Sequence, residues 1–332
     1  MSAAVALAHP NFALSKYWGK RDGSGNFPAV PSLSVTVAGL ATRTEVRFDS
    51  ALSADRVVIG GRDAPGAARA RVVELLDRVR CASGEARRAE VLSNNDFPTA
   101  SGLASSASGF AALAVATVRA AGLDWDSSRV SDLARRSSGS AARSIFGGFV
   151  ELQAGAVGAR ESDVLAAQPI APADHMPLVV VVAVTTDECK PIASRDGMRQ
   201  TMERSPYARA WLEEAPKLHV RLREALLARD FAGVGELAER SALAMHASAI
   251  AAGLLYWNAG TLAALQTVRT LRDGGTRAYA TIDAGPHVKV LARPEDAERV
   301  RSSLEATRDV LRATVARVGQ GARLVDVAEA RS

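Results

Sequence analysis

The chain has 332 residues, of which 48% are hydrophobic and 23% charged, with a formal net charge of +5 and a sequence pI near 9.5. That composition excludes a wholly disordered chain and leaves room for two medium-sized domains with full apolar cores. No stretch approaches the ~18 apolar residues of a membrane span, and the basic residues are scattered among acidic ones, so neither a membrane nor a nucleic acid is expected as partner.

In chain order, Leu33–Val37, Thr44–Phe48 and Arg56–Ile59 read as strands, each bounded by turn residues. Ala67–Arg80 carries Val72, Val73, Leu75, Leu76 and Val79 at helical spacing, and Ala89–Leu92 returns to an extended pattern. Asn94 to Gly109 is rich in small and hydroxyl residues, and the Ala-rich helix Phe110–Ala121 follows it. A second helix ends in Ala134–Arg136, just before Ser138-Gly139-Ser140.

Gln168 to Pro177 reads as a Pro/Ala-rich connection, leading into the Val-rich buried strand Leu178–Val184. The domain boundary is expected there, with residues 1–174 forming one lobe and 175–332 the other. Helices are expected over Arg195–Glu203, Ala208–Ala228, Phe231–Ala247 and Thr261–Arg272. Strands Arg277–Ile282 and His287–Leu291 flank Asp283-Ala284-Gly285-Pro286. Pro294-Glu295-Asp296 opens a last helix with an acidic first turn, and Ala322–Val327 is a final strand. The sum is an α+β chain in two lobes.

Cys81 and Cys189 have no Cys-x-x-Cys or Cys/His spacing, so neither a disulfide framework nor a zinc site is expected, and a reducing cytoplasm fits. His9, His175, His219, His246 and His287 show no paired ligand spacing and read as structural or surface groups. There are five lysines (Lys16, Lys20, Lys190, Lys217 and Lys289), against a large excess of arginine, and four of them fall inside or beside the motifs below.

Pro98-Thr99-Ala100-Ser101-Gly102-Leu103-Ala104-Ser105-Ser106-Ala107-Ser108-Gly109 sets small residues and hydroxyls directly before a helix. Backbone N–H groups at a helix start, with the positive end of its dipole, favour a phosphate there. The same residues read alone as a Ser/Gly-rich turn capped at Thr99 or Ser101, and the Walker pattern is absent. The order Pro-x-x-x-Gly-Leu-Ala-Ser-Ser-Ala nevertheless resembles the phosphate-binding motif of the galactokinase, homoserine kinase, mevalonate kinase and phosphomevalonate kinase superfamily.

Within that superfamily, three more segments resemble the diphosphomevalonate decarboxylases. These are Asn11 to Asp22 (with Lys16-Tyr17-Trp18-Gly19-Lys20), Ser138 to Gly148 (with Ser138-Gly139-Ser140 and Arg143), and Thr281 to Val290 (with Asp283-Ala284-Gly285-Pro286). Ser194-Arg195-Asp196-Gly197-Met198 and Met245-His246-Ala247 are lesser matches. The resemblance implies a two-lobed kinase-like α+β fold, with a ribosomal protein S5 domain 2-like N-terminal lobe and a helix-rich C-terminal lobe.

It also implies ATP-dependent decarboxylation of mevalonate 5-diphosphate, a small phosphorylated carboxylic acid, by a cytoplasmic homodimer that uses ATP with Mg²⁺. A decarboxylase of mevalonate 5-phosphate, a kinase of the same fold, and a non-catalytic ATP- or RNA-binding protein are the alternatives. Carried over by resemblance, Asp283 is the catalytic carboxylate, aided by Lys20 and Arg143. Tyr17, Lys20, Ser138, Gly139, Ser140, Arg143, Ser194 and Arg195 hold the substrate. Ser93, Asn94, Ser101, Gly102, Leu103, Ala104, Ser105 and Ser106 meet the nucleotide, and no metal ligand is assigned. On local chemistry alone Asp283 is a turn aspartate.

The chain departs from the family pattern at Val30 and Pro31, where Asn or Ser is usual, and at Ala193, where a Ser pair loses its first member. Ser137 replaces a Gly, Ala142 a Cys and His287 an Asn. The changes at Val30, Pro31 and Ala193 are expected to retune which phosphorylated acid fits.

Overall fold

The structure, a computed structural model, describes residues 2–21, 25–97, 104–188 and 192–326. In chain order the elements are β1 (Ser2–Ala8), β2 (Asn11–Ser15), β3 (Ser32–Thr36), β4 (Thr42–Asp49), β5 (Arg56–Ile59), β6 (Arg62–Asp63), α1 (Gly66–Ser83), β7 (Arg88–Asn95), α2 (Ser105–Ala120), α3 (Ser127–Ser137), α4 (Ala141–Ser144), β8 (Phe149–Leu152) and β9 (Gln168–Ala171). There follow β10 (Val179–Val184), α5 (Ser194–Arg204), α6 (Ala208–Leu227), α7 (Phe231–Ala251), α8 (Ala259–Asp273), β11 (Ala278–Ile282), β12 (Val288–Ala292), α9 (Ala297–Glu305), β13 (Arg312–Arg317) and β14 (Arg323–Val325).

They assemble into three sheets, ordered β14-β1-β4-β7-β5-β6, β2-β3-β8-β9 and β11-β12-β10-β13. Neighbouring strands are antiparallel except β5 and β7, which are joined through α1 and run parallel. In β4, Thr42, Thr44, Val46 and Phe48 point inward and alternate with Arg43, Glu45 and Arg47, as expected where one face meets the core and the other meets solvent. Val46, Phe48 and Val91 pack there against Leu75 and Leu76 of α1 and the alanines of α2. Small side chains on α2 let it lie close to the sheet.

The valine run of β10 is buried throughout because helices cover both faces of its sheet. Val180, Val182 and Val184 meet Leu218, Leu222 and Val234 of α6 and α7, and the middle sheet's Phe12 and Leu33 join the same core. Val179, Val181 and Ala183 face Val268, Val300 and Leu304 of α8 and α9. A fourth cluster, of Trp18, Val30, Met198, Trp211, Met245 and Tyr256, fills the space behind the site.

Besides β9, five strands go beyond the sequence reading: β1, β2, β6, β8 and β13, which are short or Ala-rich and lack clear turn punctuation. The expected connection after residue 167 begins instead as β9, paired to β8. Pro169 cannot donate to a ladder, but β9 is an edge strand, where that loss is tolerated. Of the expected final strand, 323–325 is formed and Val327 lies outside the described residues.

Candidate active site

A cavity of about 450 Å³ is lined from both halves of the chain, with walls from Asn11 to Ala284. Among the described residues Lys16, Lys20, Arg71, Arg143 and Arg195 line it against one carboxylate, Asp283, so the cavity presents a net positive charge to whatever occupies it.

At one end Asp283 opens the turn between β11 and β12. Lys16 Nζ donates to Asp283 Oδ1 at 2.7 Å and Lys289 Nζ stands 3.5 Å from Oδ2. Both lysines are almost wholly enclosed, whereas Asp283 keeps 22% exposure. Burial acts to raise the Asp283 pKa, but the two ammonium groups outweigh it and hold the carboxyl at about 2. Burial drives Lys16 down to about 8, with Asp283 opposing that fall, and burial also lowers Lys289. Asp283 is therefore a fixed anion with little appetite for a proton.

Beside it lies Arg143, 1% exposed. Its Nε donates to Ser34 Oγ at 2.9 Å and its Nη1 to Ser32 Oγ at 2.6 Å, fixing the guanidinium plane against β3. Asn11 Nδ2 bonds the Ser140 carbonyl at 2.9 Å and Ser144 Oγ at 2.8 Å, pinning the turn that carries Ser138, Gly139 and Ser140. A Cβ on Gly139 would stand 2.6 Å from the Tyr17 hydroxyl, so only glycine lets that phenol reach the cavity. Burial raises the Tyr17 pKa to about 12, which keeps it a donor.

A second group of cations gathers where α3 ends. Arg71 Nη2 donates to the Ser137 carbonyl at 2.6 Å and Arg195 Nη2 to the same oxygen at 3.4 Å. Arg71 is stacked on the Phe110 ring, 4.4 Å from its centroid. Burial, followed by repulsion from Arg195 and Arg71, lowers Lys20 to about 8, and burial and Arg195 lower Arg71 to about 10. Such mutual repulsion is relieved by an anion placed among the three.

The third zone is the start of α2. Ala104, the N-cap residue, sits at φ 57° and supplies no side-chain cap, and Ser105 and Ser106 line the cavity at the helix N-terminus. Ile59, Val91 and Leu113 supply an apolar wall beyond.

Most residues singled out in the sequence thus share one cavity: Tyr17, Lys20, Ser93, Ala104, Ser105, Ser106, Ser138, Gly139, Ser140, Arg143, Ser194, Arg195 and Asp283 all line it. Ser101, Gly102 and Leu103 lie outside the described residues. Asn94 is placed differently from the expectation. It is exposed, and its neighbours Ser93 and Asn95 are the ones that face inward, because successive side chains on β7 alternate between the two faces of the sheet.

Of the three departures expected to retune the substrate fit, Ala193 reaches the cavity wall. Val30 is buried in the apolar cluster behind Trp18, and Pro31 faces a separate surface groove. Lys16, Lys289, Asn11 and Arg71 join the site beyond the residues that the family resemblance assigns to it. The scarcity of lysine pointed to the first two, while a single Arg on a long helix gives no such signal.

Comparison with known proteins fits this geometry. Residues 8–166 match the diphosphomevalonate decarboxylase-like N-terminal domain and residues 180–323 the mevalonate 5-diphosphate decarboxylase C-terminal domain. The chain is 32% identical to a diphosphomevalonate decarboxylase of Candida albicans over 92% of its own length and 88% of that protein. To a phosphomevalonate decarboxylase of Haloferax volcanii it is 34% identical over 98% and 99%. A solved structure, MDDEF in complex with MVAPP, AMPPCP and magnesium, superposes with a TM-score of 0.89 at 38% identity, covering 98% of this chain and 99% of that one. With both halves matched in order and the cavity assembled between them, the chain belongs to the diphosphomevalonate decarboxylase family.

Proposed function

We propose that this protein catalyses the ATP-dependent decarboxylation of mevalonate 5-diphosphate to isopentenyl diphosphate, a step of isoprenoid synthesis by the mevalonate route. The observation that carries this is the joining, in one cavity, of an anion held between two buried lysines, a cluster of three cations and the N-terminal start of α2. The C. albicans relative and the complex with MVAPP, AMPPCP and magnesium support the same substrate pair.

Lys20, Arg71 and Arg195, with the Tyr17 hydroxyl, take the diphosphate, and Arg143 with the Ser138–Ser140 turn takes the carboxylate. That seats the tertiary hydroxyl near Asp283, whose fixed charge orients the O–H for attack on the γ-phosphoryl group of ATP. The hydroxyl proton leaves with the transferred phosphoryl group, departure of that group as phosphate and loss of carbon dioxide leave the double bond, and ADP is released.

The start of α2 and the apolar wall of Ile59, Val91 and Leu113 suit the triphosphate and base of a nucleotide. Among the described residues no three His, Cys, Asp or Glu side chains come together for a metal. Mg²⁺ would therefore be held by phosphate oxygens, with the Ser105 and Ser106 hydroxyls as the protein's donors. When bound, it neutralises charge between the phosphates.

Residues 1–174 form the nucleotide-binding lobe and 175–332 the lobe carrying Asp283, in this reading. It also includes a cytoplasmic location and a homodimer, supported by the family resemblance. No helix among the described residues is long and apolar enough to cross a membrane.

The 34% identity to the H. volcanii phosphomevalonate decarboxylase favours a second substrate, mevalonate 5-phosphate. Three cations at one end favour the diphosphate. Incubation with ATP, Mg²⁺ and, in turn, mevalonate, its 5-phosphate and its 5-diphosphate tests this. ADP and carbon dioxide should appear together, and fastest from the diphosphate. ADP without carbon dioxide would make the protein a kinase, and preference for the monophosphate would reassign the substrate.

A further inference from the structure

Behind the site, on the side away from the cavity, three polar side chains form a chain of hydrogen bonds that substrate binding and catalysis as described leave unused. Ser15 Oγ lies 2.9 Å from His219 Nδ1, and His219 Nε2 lies 2.8 Å from Glu151 Oε1. Arg223 Nε stands 3.3 Å from the same carboxylate oxygen. Ser15, His219 and Glu151 are 2%, 3% and 4% exposed, and they come from β2, α6 and β8.

A serine, histidine and carboxylate in line invite comparison with a nucleophilic triad, but the geometry forbids it. Ser15 is enclosed, does not line the cavity, and already accepts the Leu33 N–H at 2.8 Å. No substrate carbon can approach that oxygen.

What Ser15 does instead follows from its place in the sheet. The pairing of β2 with β3 slips between Ala13 and Ser15, so the strand bulges at Leu14. The Leu33 amide is taken there by the Ser15 side chain. With one lone pair occupied by the Leu33 N–H, the hydroxyl donates its O–H to Nδ1 of the neutral His219 ring, and Nε2–H donates to Glu151. The alternative tautomer would turn a nitrogen lone pair onto the carboxylate. Direction is thus fixed from Leu33 through Ser15 and His219 to Glu151.

Lys16 is the next residue after this bulge. Its backbone N–H is held by Ser241 Oγ of α7 at 3.0 Å, and its Nζ donates both to the Ala13 carbonyl at 2.8 Å and to Asp283. Thr281 Oγ1, two residues before Asp283, donates to the same carbonyl at 3.1 Å. The bulged segment 13–16 therefore decides where the ammonium group sits relative to the carboxylate.

We infer that Ser15, His219 and Glu151 are positioning residues for the reaction, holding the β2 bulge so that Lys16 stays registered on Asp283. The inference rests on the reading of the Lys16–Asp283 pair as the reaction centre. A relay that served folding alone would affect stability and leave the chemistry of that pair untouched.

The test uses Ser15→Ala, His219→Leu and His219→Gln, assayed with mevalonate 5-diphosphate, ATP and Mg²⁺, together with a crystal structure of Ser15→Ala. A positioning role lowers kcat about 10–100-fold in Ser15→Ala and His219→Leu, since sub-ångström to ångström misplacement costs that much. KM for the diphosphate stays within about twofold, because Lys20, Arg71 and Arg195 are untouched. The alkaline limb of kcat shifts, Lys16 Nζ moves out of hydrogen-bond range of Asp283 in the crystal, and His219→Gln, which keeps an amide between Ser15 and Glu151, recovers part of the rate.

Lower melting temperatures with kcat, its alkaline limb and the Lys16–Asp283 distance all as in the parent protein would overturn the inference. Should Ser15→Ala not fold, Glu151→Gln decides on the same kcat and pH readouts, an unchanged profile counting against the relay. Parent protein that releases no ADP from the diphosphate would fail the site reading itself and the relay's role with it. An active parent with indifferent variants would fail the relay alone.

Discussion

Lys16 Nζ and Asp283 Oδ1, 267 positions apart in sequence, meet at 2.7 Å inside the protein, with Lys289 completing the carboxylate's surroundings. Two buried cations around one anion hold Asp283 ionised, and its charge is the feature against which a reacting hydroxyl would be oriented. Asp283→Asn keeps the shape and removes that charge. Turnover of mevalonate 5-diphosphate should fall about 10²–10⁴-fold, while nucleotide affinity measured by calorimetry stays close to that of the parent. The melting temperature should also drop, because Lys16 and Lys289 lose their counter-charge. A near-normal rate would remove Asp283 from the chemistry.

The pH dependence follows from the same groups. Lys16 and Lys20, both lowered to about 8, are charged below that pH and neutral above it. The kcat/KM of the free enzyme should therefore fall as pH rises through about 8. Bound phosphate favours the charged form of Lys20 and moves its limb to higher pH, so the limb that remains near 8 in kcat should report chiefly on Lys16. Asp283, held near 2, contributes no acidic limb near neutrality. Steady-state rates at saturating and limiting substrate across pH separate the two limbs.

Arg71 carries no motif around it in the sequence, and its removal tests the phosphate count. One charge-assisted hydrogen bond contributes about 1.5–3 kcal/mol, so Arg71→Met should raise KM for the diphosphate by roughly 10–150-fold with a smaller effect on kcat. Rates with the monophosphate should change less. Equal losses on both substrates would place Arg71 away from the terminal phosphate.

At Gly139 the close approach of the Tyr17 hydroxyl makes a methyl group costly. Gly139→Ala should displace the phenol and weaken substrate binding by about 1–3 kcal/mol, read by calorimetry, with ATP binding unchanged. Tyr17→Phe, which removes the hydroxyl, should partly relieve the clash, so the double variant should lose less than the sum of the two.

Strand alternation on β7 gives a paired prediction. Ser93 and Asn95 face the cavity and Asn94 faces outward. Asn95→Ala should therefore weaken nucleotide binding by about 0.5–1.5 kcal/mol, whereas Asn94→Ala should leave it unchanged. The reverse result would mean that the nucleotide lies on the other face of the strand.

The sequence by itself determined a good deal. Helical spacing of apolar residues located α1, α6, α7 and α8 to within a few positions, since a helix that must bury one face writes that period into its own residues. The valine run announced β10, and the segments around Lys20, Ser138–Arg143 and Asp283 announced the family, because chemistry constrains residue type over short stretches.

Only the tertiary structure decided the rest. The strands β1, β2, β8 and β13 depend on partners far away in the chain, and β6 is only two residues long, so their local patterns are weak. Asn94 and Asn95 are indistinguishable until the register of β7 says which one faces in. Asp283 has no feature of its own to separate it from any turn aspartate. Its low pKa arises because the end of β2 brings Lys16 and β12 brings Lys289 to either side of it, and burial makes those charges count. A charge's effect depends on distance and on the exclusion of water, and both are fixed by packing rather than by the order of residues along the chain.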